Sequence, residues 1–213
     1  IGDIDGDGVT DLIVGAPTYK IGTSPDQGKL FLMLMNKTGT AKPAIPINVN
    51  RPAGYTKLPF VAFGEEIAFL GDSQRDGTVE IVVLSEKAVQ DRSPTHFLDV
   101  LSIDRTGTVR NYVRNTMQEI MQSEYADSDT AGHLSAIGDQ NGDGLIDIAY
   151  LRGSTYYETG IWEFASLAAN GKLVNLPKRS EILGPKDFSL SLRFGASITN
   201  LGDLNNDGSA EFV

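Results

Sequence analysis

The sequence predicts an all-β fold, a β-propeller fragment of about three four-stranded antiparallel blades. Three observations predict this fold. An acidic, glycine-containing motif occurs four times, a second glycine turn recurs with the same spacing, and short β-rich runs separate these landmarks. Four short strands per repeat, with little helical pattern between them, are typical of propeller blades.

The acidic motif defines the repeat. Its copies begin "GDIDGDGVTDLIV", "GDSQRDGTVEIVV", "GDQNGDGLIDIAY" and "GDLNNDGSAEFV". Their leading acids lie about 64–69 residues apart, at Asp3, Asp72, Asp139 and Asp203. A glycine turn follows in three units with almost the same spacing, at Gly39, Gly107 and Gly171. We therefore divide the propeller segment 1–213 into units at about 1–62 (partial), 63–131, 132–193 and 194–213 (partial).

Each unit reads as consecutive strands. "FGEEIAFLGD" leads up to an acidic loop, "EIVVLS" follows it, and "HFLDVLSID" and "TVRNYVRN" flank a glycine turn. Asn, Asp, Thr and Gly at the turns predict hairpins. The helix-compatible stretch "NTMQEIMQSEYADSD" lies where a connection between units is expected. Both ends of the chain have strand-like sequence, so we expect a piece of a longer protein whose missing blades come from the parent chain or another copy.

The acidic loops predict cation sites. Side-chain oxygens occupy positions 1, 3, 5 and 9 of each loop, a backbone carbonyl is available at position 7, and glycine at position 6 permits the positive φ of a sharp turn. The predicted ligands are Asp3, Asp5, Asp7, Val9 and Asp11 in the first loop; Asp72, Gln74, Asp76, Thr78 and Glu80 in the second; Asp139, Asn141, Asp143, Leu145 and Asp147 in the third; and Asp203, Asn205, Asp207, Ser209 and Glu211 in the fourth.

An all-oxygen ligand set favours Ca²⁺ and argues against zinc or copper. The second loop is the weakest, because Gln74 replaces a carboxylate and Arg75 adds a positive charge, so three or four calcium sites are predicted. An EF-hand would need an acid at position 12, where Val14, Val83 and Tyr150 stand instead. Asp, Asn and Gly also stabilise turns without metal, but the acid at position 9 of every copy favours a cation.

The motifs resemble a known family. "FGASITNLGDLNNDGSAEFV" and "IGDIDGDGVTDLIVGAP" together are similar to the FG-GAP repeat of integrin α-subunit propellers and their bacterial relatives, although Gly15-Ala16-Pro17 is the only complete "GAP". The resemblance implies a seven-bladed propeller with calcium in loops on one face. It also implies a role in adhesion or recognition, or as a module attached to an enzyme.

Composition narrows the function. The chain has no cysteine, a net charge of −10 and no apolar run long enough to span a membrane, so neither nucleic acid nor membrane insertion is expected. His96 and His133, the only histidines, lie in different units, and no catalytic motif is present. We expect a non-enzymatic, extracellular or cell-surface module with structural calcium and a protein or glycan ligand. The alternatives are the propeller domain of a secreted polysaccharide-acting enzyme and a self-assembling architectural repeat.

Overall fold

The structure is a computed structural model of the 213-residue chain. It describes residues 1–20, 28–49, 60–87, 95–116, 119–120, 130–153, 161–176, 182–183, 199–202, 204–205 and 211–212. Within these ranges only residues 119–120 are helical, and no helix is long and apolar enough to cross a membrane.

The first sheet has three antiparallel strands in the order β1-β2-β3. The strands are β1 (Leu12–Ala16), β2 (Lys29–Met33) and β3 (Ile45–Ile47). Residues alternate between the two faces of a strand, and Leu30 and Leu32 of β2 are fully buried on the face toward the second sheet. The first acidic loop precedes β1, as the hairpin pattern predicts.

The second sheet is the most complete. Its strands are β4 (Phe60–Val61), β5 (Ile67–Gly71), β6 (Val79–Lys87), β7 (Thr95–Ile103) and β8 (Val109–Thr116). β4 and β5 both pair with β6, so together they form one interrupted edge strand. With β6, β7 and β8 in that order, the sheet is four antiparallel strands wide. The interruption contains Ala62 and Gly64, which have φ values of 61° and 91°.

The third sheet repeats this plan. Its strands are β9 (Thr130–Gly138), β10 (Asp147–Gly153), β11 (Ile161–Leu167), β12 (Leu173–Asn175) and β13 (Ile182–Leu183). The order is β9-β10-β11-β12, and β13 extends the outer edge along β11. A further hairpin pairs β14 (Asn200–Gly202) with β15 (Glu211–Phe212) at the start of the fourth unit.

Two apolar layers hold the sheets face to face. One lies between the first and second sheets and includes Leu30, Leu32, Ile81, Val83 and Leu101. The other lies between the second and third sheets and is centred on residues such as Leu70, Val82, Leu98, Ile148 and Tyr150. β5 lies against β9, and β9 against β14, so the first strands of successive units are neighbours. This is the arrangement expected of propeller blades.

Backbone groups also meet between the first two sheets. Gly15 packs so closely on Gly64 that a Cβ built at Gly15 would lie 1.9 Å from the Gly64 carbonyl oxygen. These are the glycines of the "GAP" and "FG" elements of neighbouring units. Their lack of side chains therefore permits a direct backbone contact between adjacent blades.

The glycine turns have one geometry in all three units. Gly39, Gly107 and Gly171 have φ values of 80°, 77° and 78°, and each amide donates to the carbonyl three residues earlier at 2.8–2.9 Å. The structure is thus an all-β propeller fragment of antiparallel sheets, as the sequence predicted. The unit boundaries themselves stay a prediction, and the one near 193–194 lies outside the described residues.

Candidate metal sites

In the first loop, the leading carboxylate organises the backbone. Asp3 accepts hydrogen bonds at 2.7–3.0 Å from three amides, those of Gly6, Asp7 and Gly8. Asp7 in turn accepts from the amide of Val9 at 3.0 Å. This curled backbone brings one carboxylate oxygen each of Asp3, Asp5 and Asp11 within 4.8 Å of one another. Carboxylates held this close repel one another, and a hard cation would relieve that repulsion.

The third loop has the same curl. Asp139 accepts from the amides of Gly142, Asp143 and Gly144 at 2.7–3.2 Å, and Asp143 accepts from the amide of Leu145 at 2.8 Å. Gly8, Gly77 and Gly144 have φ values of 83–85°, as predicted for position 6 of the loops. The peptide carbonyls proposed as ligands at position 7 stay a prediction.

The position-9 acid closes every loop. Its carboxylate accepts a hydrogen bond from the amide at position 2, which brings the two ends of the loop together. The pairs are Ile4 with Asp11 (2.8 Å), Ser73 with Glu80 (3.0 Å), Gln140 with Asp147 (2.7 Å) and Leu204 with Glu211 (2.7 Å). Asp11, Glu80 and Asp147 are completely buried. The sequence predicted these acids as metal ligands, and the structure assigns one oxygen of each to loop closure.

Asp147 differs from Asp11 in its second oxygen. Oδ1 of Asp11 accepts from the amide of Met35 at 2.8 Å, whereas Oδ1 of Asp147 is buried without a hydrogen-bond donor. Burial raises the pKa of the Asp147 carboxyl, and the charges of Asp143 and Asp139 add to the effect, although the Gln140 amide and the nearby Ser166 hydroxyl oppose it. A buried carboxylate oxygen without a donor is costly, and a cation would satisfy it. The buried oxygen of Asp147 therefore suits a cation, although among the described residues only the first loop brings three carboxylate oxygens within 4.8 Å of one another.

Asp143 supplies the charged side chain at position 5 of the third loop. Burial alone would raise the pKa of its carboxyl, but hydrogen bonds from the Leu145 amide, Asn141 and Ser166 outweigh burial and lower it. Asn141 and Ser166 both donate to Oδ2, at 2.9 and 3.1 Å. Asp143 is thus held as a carboxylate at the position where the sequence predicts a ligand.

The second loop satisfies its acids internally. The hydroxyl of Thr78 lies 2.6 Å from Asp76 and 3.2 Å from Glu80, and the hydroxyl of Ser73 donates to Glu80 at 2.7 Å. Asp72 accepts from the amides of Asp76 and Gly77. Arg75 adopts a φ of 56°, where the first and third loops have glycine. The half-buried Gln74 stays a predicted ligand. The protein thus already supplies donors to the acids of this loop, which makes it the least suited of the first three to an ion.

The fourth loop is described only in part. Besides the amide of Leu204, Glu211 accepts from the side-chain amide of Asn205 at 2.8 Å. Asp203, Asp207 and Ser209 lie outside the described residues, so their predicted ligand roles are not placed.

A lysine that the sequence did not single out contacts the first loop. Lys42 Nζ lies 2.6 Å from Asp5 Oδ2 and 2.9 Å from Asp7 Oδ2. The hydrogen bond from Lys42 is the main cause that lowers the pKa of the Asp7 carboxyl, and the bonds to Asp5 and Asp7 raise that of Lys42. Lys42 is 35 residues from Asp7 in sequence, so no local motif indicates this contact.

A second cluster lies away from the loops. Asp99 is completely buried and accepts two hydrogen bonds of 2.7 Å from Arg114, one of 2.7 Å from Ser85 and one of 3.0 Å from Tyr112. The Arg114 guanidinium also stacks on Phe97, 4.2 Å from the ring centroid. This network joins β6, β7 and β8 and has a structural role within the second sheet.

Comparison with known proteins supports the motif assignment. Residues 1–33 match the family model of the FG-GAP repeat. This region contains the first acidic loop, β1 and β2. No curated protein matches the chain. The chain therefore contains an FG-GAP repeat within a β-propeller-type module, as its motifs indicated.

Proposed function

We propose that this chain is a calcium-binding propeller module of an extracellular or cell-surface protein, in which calcium is structural and the module serves adhesion or recognition. The module itself is proposed to be non-enzymatic. The calcium assignment depends above all on one observation, the buried Oδ1 of Asp147, which accepts no hydrogen bond in a loop rich in carboxylates. Buried polar atoms in native proteins normally have a partner. A divalent ion in the third loop would provide it.

The position of the loops indicates what the ion would do. The second and third loops each connect the first two long strands of a sheet, β5 to β6 and β9 to β10. An ion there would tie the turn together and offset the repulsion among its acids, and it would leave the strands unchanged. Calcium bound in this way stabilises the folded state in proportion to the logarithm of its concentration.

Calcium titration of the chain tests this proposal. We expect binding by calorimetry in the range of extracellular calcium modules, with Kd about 10⁻⁴–10⁻³ M. Asp143→Asn removes one carboxylate of the third loop and should lose binding at that site. Glu65→Gln removes the same charge from an exposed residue outside the loops and should bind like the wild type. A chain that binds no calcium would refute the calcium assignment.

The FG-GAP match and the charge support a proposal for the location and the partner. FG-GAP repeats are typical of extracellular recognition modules, and a net charge of −10 disfavours nucleic acid. We propose a protein or glycan as the ligand. Binding to immobilised glycans and matrix proteins, with calcium and with EDTA, tests recognition. Release of reducing or unsaturated ends from a polysaccharide panel would instead favour the alternative of an enzyme module.

An open sheet face supports the proposal that further blades pack on this chain. Leu12 and Val14 of β1 are 43% and 39% exposed, whereas Ile81 and Val83, at the same distances from the leading acid of their loop, are fully buried against the first sheet. We propose that another blade of the same kind covers Leu12 and Val14. Light scattering separates the sources of that blade: self-association of the chain indicates another copy, and a monomer indicates the parent chain.

A further inference from the structure

Lys42 contacts the first loop at two predicted ligands. Its ammonium lies between the carboxylates at positions 3 and 5, Asp5 and Asp7, at 2.6 and 2.9 Å. Its side chain is 35% exposed, so the contact lies at the edge of the loop. The first loop already has a positive charge beside the acids that a calcium ion would need.

The hairpin after β2 holds Lys42 in this place. The backbone amide of Lys42 donates to the carbonyl of Leu34 at 2.7 Å, and Met35 forms a bridge with Ala41. The turn that contains Gly39 therefore returns the chain toward the first loop. Because the backbone is fixed on both sides of the turn, the ammonium is tethered close to Asp5 and Asp7.

The described parts of the second and third units lack this contact. The residue three positions after the turn glycine is Arg110 in the second unit and Val174 in the third. Arg110 pairs with Asp104 of its own turn, and Val174 is apolar and 50% exposed. Across the part of the chain that the structure describes, Lys42 makes the only ion pairs with loop carboxylates.

We propose that Lys42 is a tethered cation that competes with calcium for the first loop. Calcium must displace the ammonium from Asp5 and Asp7, so the first loop binds calcium more weakly than the third loop, where Asp147 Oδ1 has no protein donor. The first and third loops thus differ in affinity although their motifs are similar. This inference rests on the proposed calcium function and extends it to a ranking of the sites.

The charge of the ammonium sets the size of the effect. Removing one positive charge a few ångströms from a divalent ion should raise the affinity of the first loop about tenfold. Lys42 and its partners Asp5 and Asp7 are partly exposed, so solvent screens their charges and keeps the gain in calcium affinity from being much larger. The third loop should be unaffected, because Lys42 makes no ion pair with it.

Site-resolved calcium titration by NMR tests the ranking. The amides of Gly8 and Gly144 each donate to the leading acid of their loop and report the first and third loops separately. In the wild type, Gly144 should titrate at lower calcium than Gly8. In Lys42→Met the Gly8 curve should move to about tenfold lower calcium, while the Gly144 curve stays unchanged. Lys37→Met is the matched control, because Lys37 is an exposed lysine close enough to act on Asp7. It should move the Gly8 curve less than about threefold.

Each outcome of the titration supports or overturns the inference. An unchanged Gly8 curve in Lys42→Met, with Gly144 still titrating, would show that Lys42 is only a surface ion pair and would overturn the inference alone. If neither glycine responds in the wild type, the proposed calcium function fails as well. Lys42→Gln provides a second neutral variant if the Met variant does not fold. In EDTA, Lys42→Gln should melt at a lower temperature than the wild type. Added calcium should raise its melting temperature more than it raises that of the wild type.

Discussion

Asp147→Asn offers the sharpest test of the calcium assignment, because the variant should be less stable than the wild type only when calcium is present. Without calcium, the variant removes a buried charge whose pKa is raised by burial and by neighbouring acids. The amide side chain that replaces the carboxylate keeps a carbonyl oxygen, which can still accept the hydrogen bond from the Gln140 amide that closes the loop. We therefore expect the variant in EDTA to be as stable as the wild type or more stable.

With calcium, the wild type should become the more stable protein. A site with Kd about 10⁻⁴ M stabilises the fold by about 2.7 kcal/mol at a hundredfold excess of calcium over Kd. For a protein of this size, about 1 kcal/mol shifts the melting temperature by about 2–4 °C, so the site accounts for about 5–10 °C. Asp147→Asn removes the ligand oxygen that has no other partner, and the variant should lose this increment.

Thermal unfolding by calorimetry or circular dichroism measures both effects, in EDTA and in about 10 mM calcium. Glu65→Gln, at an exposed residue outside the loops, controls for the loss of one charge. The reasoning fails if Asp147→Asn melts several degrees below the wild type in EDTA and gains as much from calcium as the wild type does. In that case the carboxylate of Asp147 would serve only to close the loop.

Three further predictions concern the scaffold. Gly15→Ala would place a methyl group 1.9 Å from the Gly64 carbonyl oxygen, so we expect urea unfolding to show a loss of stability of about 1–3 kcal/mol. A near-neutral result would contradict the contact between the blades. Arg114→Met leaves the buried Asp99 without its charge partner and should cost about 3–5 kcal/mol, while a loss below about 1 kcal/mol would mean that the pair contributes little. For Asp104, burial that would raise the carboxyl pKa is outweighed by hydrogen bonds from neighbouring threonines and an arginine, which lower it to about 2. The stability that the Asp104 carboxylate contributes is present above pH 3.8 and is lost as pH falls through about 2. The difference in unfolding free energy between the wild type and Asp104→Asn should therefore disappear over that pH range. A difference that stays constant would argue against the lowered pKa.

The acidic loops show how far local sequence reasoning reaches. Each loop spans nine residues, and its main contacts join a carboxylate to amides two to seven residues away, such as Asp3 with Gly8 and Asp11 with Ile4. Side-chain-to-backbone bonds over such short distances depend little on the rest of the fold. The repeat, the turn glycines and the all-β class were predictable for the same reason, because hairpins are local structures.

The differences among the loops were not predictable in this way. The sequence indicated a weak second loop through Gln74 and Arg75, but it gave no sign that the Thr78 hydroxyl would lie within hydrogen-bonding distance of two acids. It predicted five ligands in the first loop without revealing Lys42, which reaches Asp5 from 37 residues away. The buried oxygen of Asp147 also depends on how the third sheet surrounds its loop.

By itself, the sequence determined the repeat, the loops and the strands, because these depend on contacts within a few residues. The tertiary structure decided which carboxylates contact the ammonium of Lys42 and which carboxylate accepts a second hydrogen bond from a distant amide. It also decided which carboxylate keeps one buried oxygen without a hydrogen bond. It also decided where two glycines allow blades to touch and which sheet face is left open. These properties depend on groups far apart in the chain, and only the packing of one blade against the next brings such groups together.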